Sequence, residues 1–226
     1  MSEPDSHAYH WHNRVYTRAE LLSDAIVHWA ALTVALAAVP VLITLTAVWH
    51  GNTVGVVGVS LYGVTLIAML GASLAYNHIA RPTWRDLLAR LDHSAIYLKI
   101  AGTYTPISLL SGAGGGLLAG IWSVALAGTV GTFVIARQSL AVAVALCLAM
   151  GWAMVFGGQD VLARLSAPVV AMMIGGGVLY TLGVAFLMWD RLRFHNTIWH
   201  VFVVAASTIF FVAIFVTVAQ TAPRPQ

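Results

Sequence analysis

Seven long apolar runs dominate the sequence, and each is about as long as a helix that crosses a membrane. A transmembrane helix needs roughly 20 consecutive, mostly apolar residues. None of the runs alternates polar and apolar residues in the manner of a membrane strand, so helices are favoured. The predicted spans are Asp24–Trp49, Thr53–Asn77, His93–Ser111, Gly116–Ile135, Leu140–Phe156, Ala167–Trp189 and Asn196–Gln220.

The composition leads to the same class of protein. Hydrophobic residues make up 60% of the 226 residues and charged residues only 8%, whereas a soluble domain has about 25% charged residues. A domain of roughly 200 residues buries only about 70% of its surface, so this much apolar surface needs lipid around it. We expect an all-α integral membrane protein, which excludes a cytosolic enzyme, a nucleic-acid partner and a secreted disulfide scaffold. The lone cysteine, Cys147, lies inside an apolar run, and we expect it to serve only as a small buried apolar side chain.

The basic residues predict the orientation. Two of them, Arg164 and Arg224, fall on one side of the predicted membrane, and Lys99 lies inside a span. The other eight are Arg14, Arg18, Arg81, Arg85, Arg90, Arg137, Arg191 and Arg193. The positive-inside rule therefore puts the N-terminus in the cytoplasm and the C-terminus outside. Residues 1–23, with solvated histidines at 7, 10 and 12, form a cytoplasmic tail, 24–220 the membrane domain and 221–226 an outer tail.

The longest cytoplasmic connection, His78 to Asp92, contains the segment PTWRDLLARLD. Thr83 and Asp86 are spaced as in a capping box, and the leucines form one apolar stripe. This pattern predicts a short separate helix that lies in the membrane interface and connects two spans.

Polar residues recur at one depth, near the cytoplasmic ends of four spans. Those of spans one, two and seven fall at i and i+4, which places both members of each pair on one helix face. Ionisable groups in a membrane are costly and usually face partners inside the bundle. The sequence therefore predicts a polar cavity in the cytoplasmic half. It is lined by Asp24, His28, Ser73, Asn77, Asp92, Lys99, Asn196 and His200, with His78, His93 and His195 beside it.

Lys99 has two interpretations. It follows Asp92 by seven residues and shares its helix face, so it could pair with Asp92 or Asp24 inside the bundle. It also begins only two turns into its span, so its long side chain could reach the cytoplasmic headgroups instead.

Four segments carry a resemblance to a known family. RAELLSDAIVH, SLAYN, LDHSAIYLKIAGTYTP and NTIWHVFVVAA occur in this order on spans one, two, three and seven. In this the chain resembles the hemolysin III family, the bacterial branch of the progestin and adipoQ receptors. The resemblance implies a seven-helix fold in the bacterial inner membrane, with the N-terminus inside.

The same resemblance implies a zinc site similar to that of the alkaline ceramidases. Zinc would be held by one histidine on span two and two on span seven, with a span-three aspartate holding a water molecule and a serine nearby. Ser73, Asp92 and His200 match this pattern. Asn77 and Asn196 replace two of the three histidines, and an asparagine oxygen is a poor zinc ligand.

Each missing histidine has a histidine next to it, and this keeps two alternatives open. His78 and His195 could form a rearranged zinc site with His200, although one residue turns a regular helix by about 100°, so the helix ends would have to unwind. Alternatively, the protein holds no tight zinc.

Two functions follow from these alternatives. The protein is either a non-catalytic sensor, lipid-binding or membrane-homeostasis protein, or a zinc-dependent hydrolase of a lipid amide. In the second, zinc would activate water and Asp92 would accept the proton. The expected partners are membrane lipids, including a lipid amide or a fatty acid. The two asparagines favour the non-catalytic function.

Overall fold

The computed structural model describes residues 9–11, 14–79, 81–135 and 139–223. The described chain is helical apart from a short hairpin, in which β1 (Tyr9–Trp11) pairs antiparallel with β2 (Arg14–Tyr16). Its helices are α1 (Arg18–His50), α2 (Thr53–His78), α3 (Arg85–Ser111), α4 (Gly115–Val134), α5 (Leu140–Gly157), α6 (Gln159–Leu162), α7 (Ala167–Met188) and α8 (His195–Thr221). The sequence predictions for the histidines at 7 and 12, for Arg137 and for Arg224 fall outside the described residues.

Six of the long helices have the length and hydropathy of membrane spans, namely α1, α2, α4, α5, α7 and α8. The remaining long helix, α3, is more polar because Arg85, Asp86, Arg90, Asp92 and Lys99 all lie on it. Five predicted spans match a helix to within one residue at each end, whereas α1 and α3 begin earlier than predicted. The protein is therefore an all-helical, multi-pass membrane protein.

The N-terminal extension of α1 has a local cause. The Thr17 side chain accepts the backbone N–H of Glu20, and the Glu20 carboxylate accepts the N–H of Thr17 at 2.9 Å. This capping box satisfies two backbone donors that a helix start otherwise leaves unpaired, so the helix begins at Arg18.

The prediction of a separate interfacial helix before span three is wrong. A 3₁₀ turn, Pro82–Trp84, leads straight into α3, and Thr83 makes no capping bond. The segment after it is rich in leucine, arginine and alanine, which are good helix formers, and holds no glycine or proline that would end the helix before Asp92. The predicted segment is therefore the first two turns of α3.

The polarity of α1 is reversed relative to a helix of a soluble protein. Its outward face is apolar, with Val34, Val41 and Val48 each more than half exposed. Its buried residues form one stripe, comprising Glu20, Asp24, His28, Ala35, Val39, Leu42 and Thr46. A helix that exposes valines and buries carboxylates is suited to a lipid surrounding and a polar interior.

Helix α3 occupies the centre of the bundle and packs against α2, α4, α5 and α8. Every residue from Ala101 to Ser108 is buried. Since α1 also packs on both α2 and α8, the beginnings of α1, α3 and α8 meet the end of α2 at one end of the molecule. That end holds the polar cluster.

Candidate functional site

A carboxylate surrounded by three imidazoles forms the centre of this cluster. Asp24 on α1 accepts a hydrogen bond from His200 on α8, with Oδ1 2.6 Å from Nδ1. The second carboxylate oxygen lies 3.3 Å from Nδ1 of His28, one turn along α1, and 3.2 Å from Nε2 of His78 at the end of α2. Asp24, His28 and His200 are all buried. Because a buried carboxylate needs partners, these contacts are what makes its burial tolerable.

The hydrogen bonds of the two buried rings fix which nitrogen carries the proton. Nδ1 of His28 lies 2.9 Å from the backbone oxygen of Asp24, which can only accept, so this nitrogen is the donor. Nδ1 of His200 is likewise the donor to the ionised Asp24 carboxylate. In its neutral form, each ring then presents an Nε2 lone pair. Both lone pairs lie near the Ser73 hydroxyl, at 3.1 and 3.4 Å.

Ser73 has a single hydroxyl proton, so it can satisfy only one of these two Nε2 atoms at a time. The other Nε2 keeps a lone pair that can accept a proton or bind a metal ion. The carboxylate oxygen of Asp24 and one nitrogen each from His28 and His200 also lie within 4.8 Å of one another. Two imidazole nitrogens and a carboxylate are a donor set that zinc accepts, so these three residues fit a divalent metal by their chemistry.

The zinc positions implied by the family resemblance do not fit a metal in the same way. Asn196 donates its amide to the Asn77 side-chain oxygen at 3.1 Å, and Asn77 donates in turn to the backbone oxygen of Ser73 at 2.9 Å. The Asn77 oxygen is therefore occupied by the Asn196 amide. Only His200 remains from that ligand set, and it lies beside Asp24 and His28 on α1 instead.

The two neighbouring histidines lie in different places. His78 contacts Asp24, as described above, at the rim of the cluster. His195 is buried against the N-terminal segment, where its Nε2 is 2.9 Å from the Tyr16 hydroxyl and the two rings stack. His195 therefore does not join His200 and His78 around one point.

Asp92, the predicted water-holding residue, faces the same space. It is 9% exposed, lies beside the Ser73 hydroxyl and is close to Asp24 and His28. In the described part of the chain it pairs with no lysine or arginine. It is thus a second carboxylate directed at the cluster, on the side where the two Nε2 atoms point.

Contacts that the sequence did not reveal hold α8 against α1. The Glu20 carboxylate accepts the backbone N–H of Phe194 at 3.1 Å, which fixes the residue that precedes α8. One turn on, the hydroxyls of Ser23 and Thr197 are 3.0 Å apart. These bonds set the depth of α8 relative to α1, and so bring His200 level with Asp24.

A cavity of about 700 Å³ extends from the cluster into the bundle. Its polar end is lined by Tyr16, Glu20, Asp24, His28, Ser73, Asn77, Asp92, His195, Asn196 and His200. The remainder is mainly apolar, with walls from α3, α5 and α7 that include Ile107, Cys147, Trp152, Met154, Met173 and Ile174. Pockets of roughly 300–1,000 Å³ with a few convergent polar groups are typical of small-molecule sites.

Lys99 also lines this cavity but pairs with neither aspartate. It is only 3% exposed, so it does not reach the headgroups, and its Nζ donates to the Tyr180 hydroxyl on α7 at 2.7 Å. It lies two helical turns deeper than Asp92, about 10 Å along α3 at 1.5 Å per residue. The cavity therefore has polar groups at two depths.

All eleven residues singled out from the sequence for this cavity line it or contact a residue that does. The sequence missed that Asp24 and His28 offer ligand atoms beside His200. The available signal was their i, i+4 spacing, which directs a carboxylate and an imidazole to one side of α1. The α7 wall, including Tyr180, carried no signal because its polar residues are isolated in an apolar run.

The chain is similar to known proteins over most of its length. Residues 17–211 match the family described as Haemolysin-III related. Hemolysin-3 of Bacillus cereus is 33% identical over 206 residues, which cover 90% of this chain and 94% of that protein. A Hemolysin-3 homolog of Bacillus subtilis (strain 168) is 33% identical over 205 residues, 89% and 96% of the two chains. The family match covers α1 to α7, the first part of α8, and Asp24, His28, Ser73, Asp92 and His200, and on this basis the chain belongs to the hemolysin III family.

Proposed function

We propose that the chain spans the bacterial inner membrane seven times, with its N-terminus in the cytoplasm. Helix α3 is the seventh span: 27 residues are about 40 Å of helix, and its central residues are buried among other helices. The eight-to-two distribution of basic residues supports the orientation. A periplasmic reporter enzyme fused after Gln226 should be active, and one fused after Arg85 inactive. The reverse pattern would refute the orientation.

Within this topology, we propose that the protein binds a single-chain lipid in the cavity and acts as a non-catalytic lipid sensor. The observation that carries this proposal is the two-ended lining of the 700 Å³ cavity. Polar side chains from α1, α2, α3 and α8 meet at one end, while apolar walls continue from it. A head group would bind to polar side chains of the cavity and an alkyl chain would lie along its apolar walls, as is usual in a small-molecule pocket.

Binding would be tested with delipidated protein in phosphatidylcholine nanodiscs. Single-chain amphiphiles with 16 carbons should bind saturably, with about one per protein, and should change the fluorescence emission of Trp152 and Trp199, which line the cavity. Ala143→Trp would place an indole on the α5 wall of the cavity and should weaken binding, whereas Ala37→Trp on the outer face of α1 should not. Equal binding by the two variants, or no saturation, would refute a cavity-bound lipid.

A second function, zinc-dependent hydrolysis of a lipid amide, is favoured by Asp24, His28 and His200. A zinc ion held by these residues would supply a Lewis acid at the polar end of the cavity. Asp92 would accept a hydrogen bond from a water molecule and take its proton, and Ser73, between Asp92 and the two rings, would orient that water. The acyl chain of the amide would lie in the apolar part.

Metal analysis distinguishes the two functions. The histidines at 7, 10 and 12 are first replaced by alanine so that the tail binds nothing, and the protein is purified without chelators. If the protein is a hydrolase, it should contain about one zinc per chain, and this zinc should be lost in His28→Ala and in His200→Ala. The protein should also release fatty acid from a ceramide, and Asp92→Asn should abolish this release. Protein that contains no zinc but still binds the amphiphile would refute the hydrolase and leave the lipid sensor as the remaining function.

A further inference from the structure

The deeper polar group of the cavity is a buried cation. Lys99 is 3% exposed, and its Nζ contacts the Tyr180 hydroxyl at 2.7 Å. The ammonium also lies 5.1 Å from the centre of the Phe210 ring on α8, within the range of a cation–π contact. These contacts orient the ammonium without neutralising its charge.

The protein supplies no anion for this cation in the residues that the structure describes. No carboxylate of the described residues lies within 4 Å of Nζ, and Asp92 is two turns away along α3. An uncompensated ammonium in the middle of a membrane protein is costly, and such groups usually face a partner or a pathway. Because Lys99 lines the cavity, the missing partner can come from a bound molecule.

The hydroxyls next to Lys99 add further donors. Tyr180 Oη lies 2.7 Å from Ser207 Oγ, so the ammonium and two hydroxyls form a chain from α3 through α7 to α8. A lysine ammonium has three N–H donors and no acceptor, and each hydroxyl brings one further proton. The two hydrogen bonds, from Lys99 to Tyr180 and between Tyr180 and Ser207, use only two of these protons. The cluster is therefore rich in donors, and its complement is a group that only accepts.

We propose that Lys99 and Tyr180, which line the cavity, bind the carboxylate of a fatty-acid-like, single-chain amphiphile, with Ser207 hydrogen-bonded to Tyr180 behind them. One cation matches a monoanion, whereas a phosphate monoester would bring excess charge into an apolar wall. An inorganic anion would leave the adjoining apolar volume empty, while an alkyl chain fills it along Ile107, Met154 and Leu162. This inference rests on the proposed lipid-binding function and names the head group that the cavity selects.

The test compares palmitate with hexadecanol, which has the same chain length and no charge, in the nanodisc assay. The wild-type protein should bind palmitate roughly ten- to a hundred-fold more tightly, as expected for a hydrogen bond to a charged group. Lys99→Met should remove this preference by weakening the binding of palmitate, and the variant should still bind hexadecanol saturably, which also shows that it is folded. Lys99→Arg should keep most of the preference, and Tyr180→Phe should reduce it several-fold.

The outcomes separate this inference from the function on which it rests. Failure of both amphiphiles to bind would refute lipid binding in the cavity, and the Lys99 site with it. Equal binding of both by the wild type would keep the lipid site and overturn the role of Lys99. Competition by 0.5 M chloride but not by 0.5 M gluconate would assign Lys99 to a small inorganic anion and overturn a carboxylate ligand. If Lys99→Met does not fold, the palmitate preference of the wild type and its reduction in Tyr180→Phe test the inference instead, and a Tyr180→Phe variant with the full preference would overturn it.

Discussion

Replacing Asp24 by asparagine tests whether one carboxylate holds the polar cluster together. The substitution keeps the size of the side chain and removes its charge. Asp24 now has one short hydrogen bond, at 2.6 Å to His200, and two longer contacts to His28 and His78. The asparagine oxygen can still accept from His200, as a neutral group.

The expected cost follows from these contacts. A hydrogen bond to a charged group contributes about 1.5–3 kcal/mol, and its neutral replacement about 1 kcal/mol. With the two longer contacts also weakened, we expect Asp24→Asn to lower the free energy of unfolding by about 2–3 kcal/mol. At about 2–4 °C per kcal/mol for a chain of this length, Tm in detergent should fall by roughly 5–10 °C.

The assay is tryptophan fluorescence on heating, with wild type and variants in the same detergent at the same concentration. The control is Asp86→Asn, which makes the same chemical change at an exposed residue of α3. It should cost less than about 1 kcal/mol, the usual value of an acidic residue in the first turn of a helix. A Tm for Asp24→Asn within about 2 °C of that control would refute the reasoning.

A double substitution tests whether Asp24 acts through His200. If it does, Asp24→Asn combined with His200→Gln should cost at least about 1 kcal/mol less than the sum of the two single changes. Strict additivity would place the effect of Asp24 elsewhere, in its contacts with His28 and His78.

Two further predictions concern the packing of α1 and the asparagine pair. Gly63→Ala should lower stability by about 1–3 kcal/mol because its new methyl group would overlap Val39 on α1, whereas Gly71→Ala, which meets nothing within 4 Å, should be neutral or slightly stabilising in the same melting assay. A cost at Gly71 equal to that at Gly63 would contradict this packing of α1 on α2. Asn77→His combined with Asn196→His should restore the three-histidine set of the family with His200, and elemental analysis should then find about one zinc per chain that survives His28→Ala. Zinc that is lost on His28→Ala in this background would show that the ligands on α1 still hold it.

The sequence by itself determined the helices and which polar residues share a helix face. In lipid, the backbone N–H and C=O groups of a run of about 20 apolar residues must form their hydrogen bonds within the run, and this requires a helix. Spacings of four residues then fix which side chains share a face, as Asp24 and His28 do on α1. These are local properties, and they required no knowledge of which helix lies next to which. The early start of α3 was missed because a capping pattern was taken for a separate helix.

Only the tertiary structure decided which polar residues meet. The sequence left His78 and His195 open as metal ligands beside His200. The depth of α8, set by the bond from Glu20 to Phe194, directs His200 to Asp24 and leaves His195 against Tyr16. In the same way the sequence left open whether Lys99 pairs with Asp92 or Asp24 or reaches the cytoplasmic headgroups. The rotation of α3 in the bundle turns it toward Tyr180 on α7 instead. Contacts between helices distant in sequence depend on rotations and depths that all seven long helices set together, and no spacing within one helix contains that information.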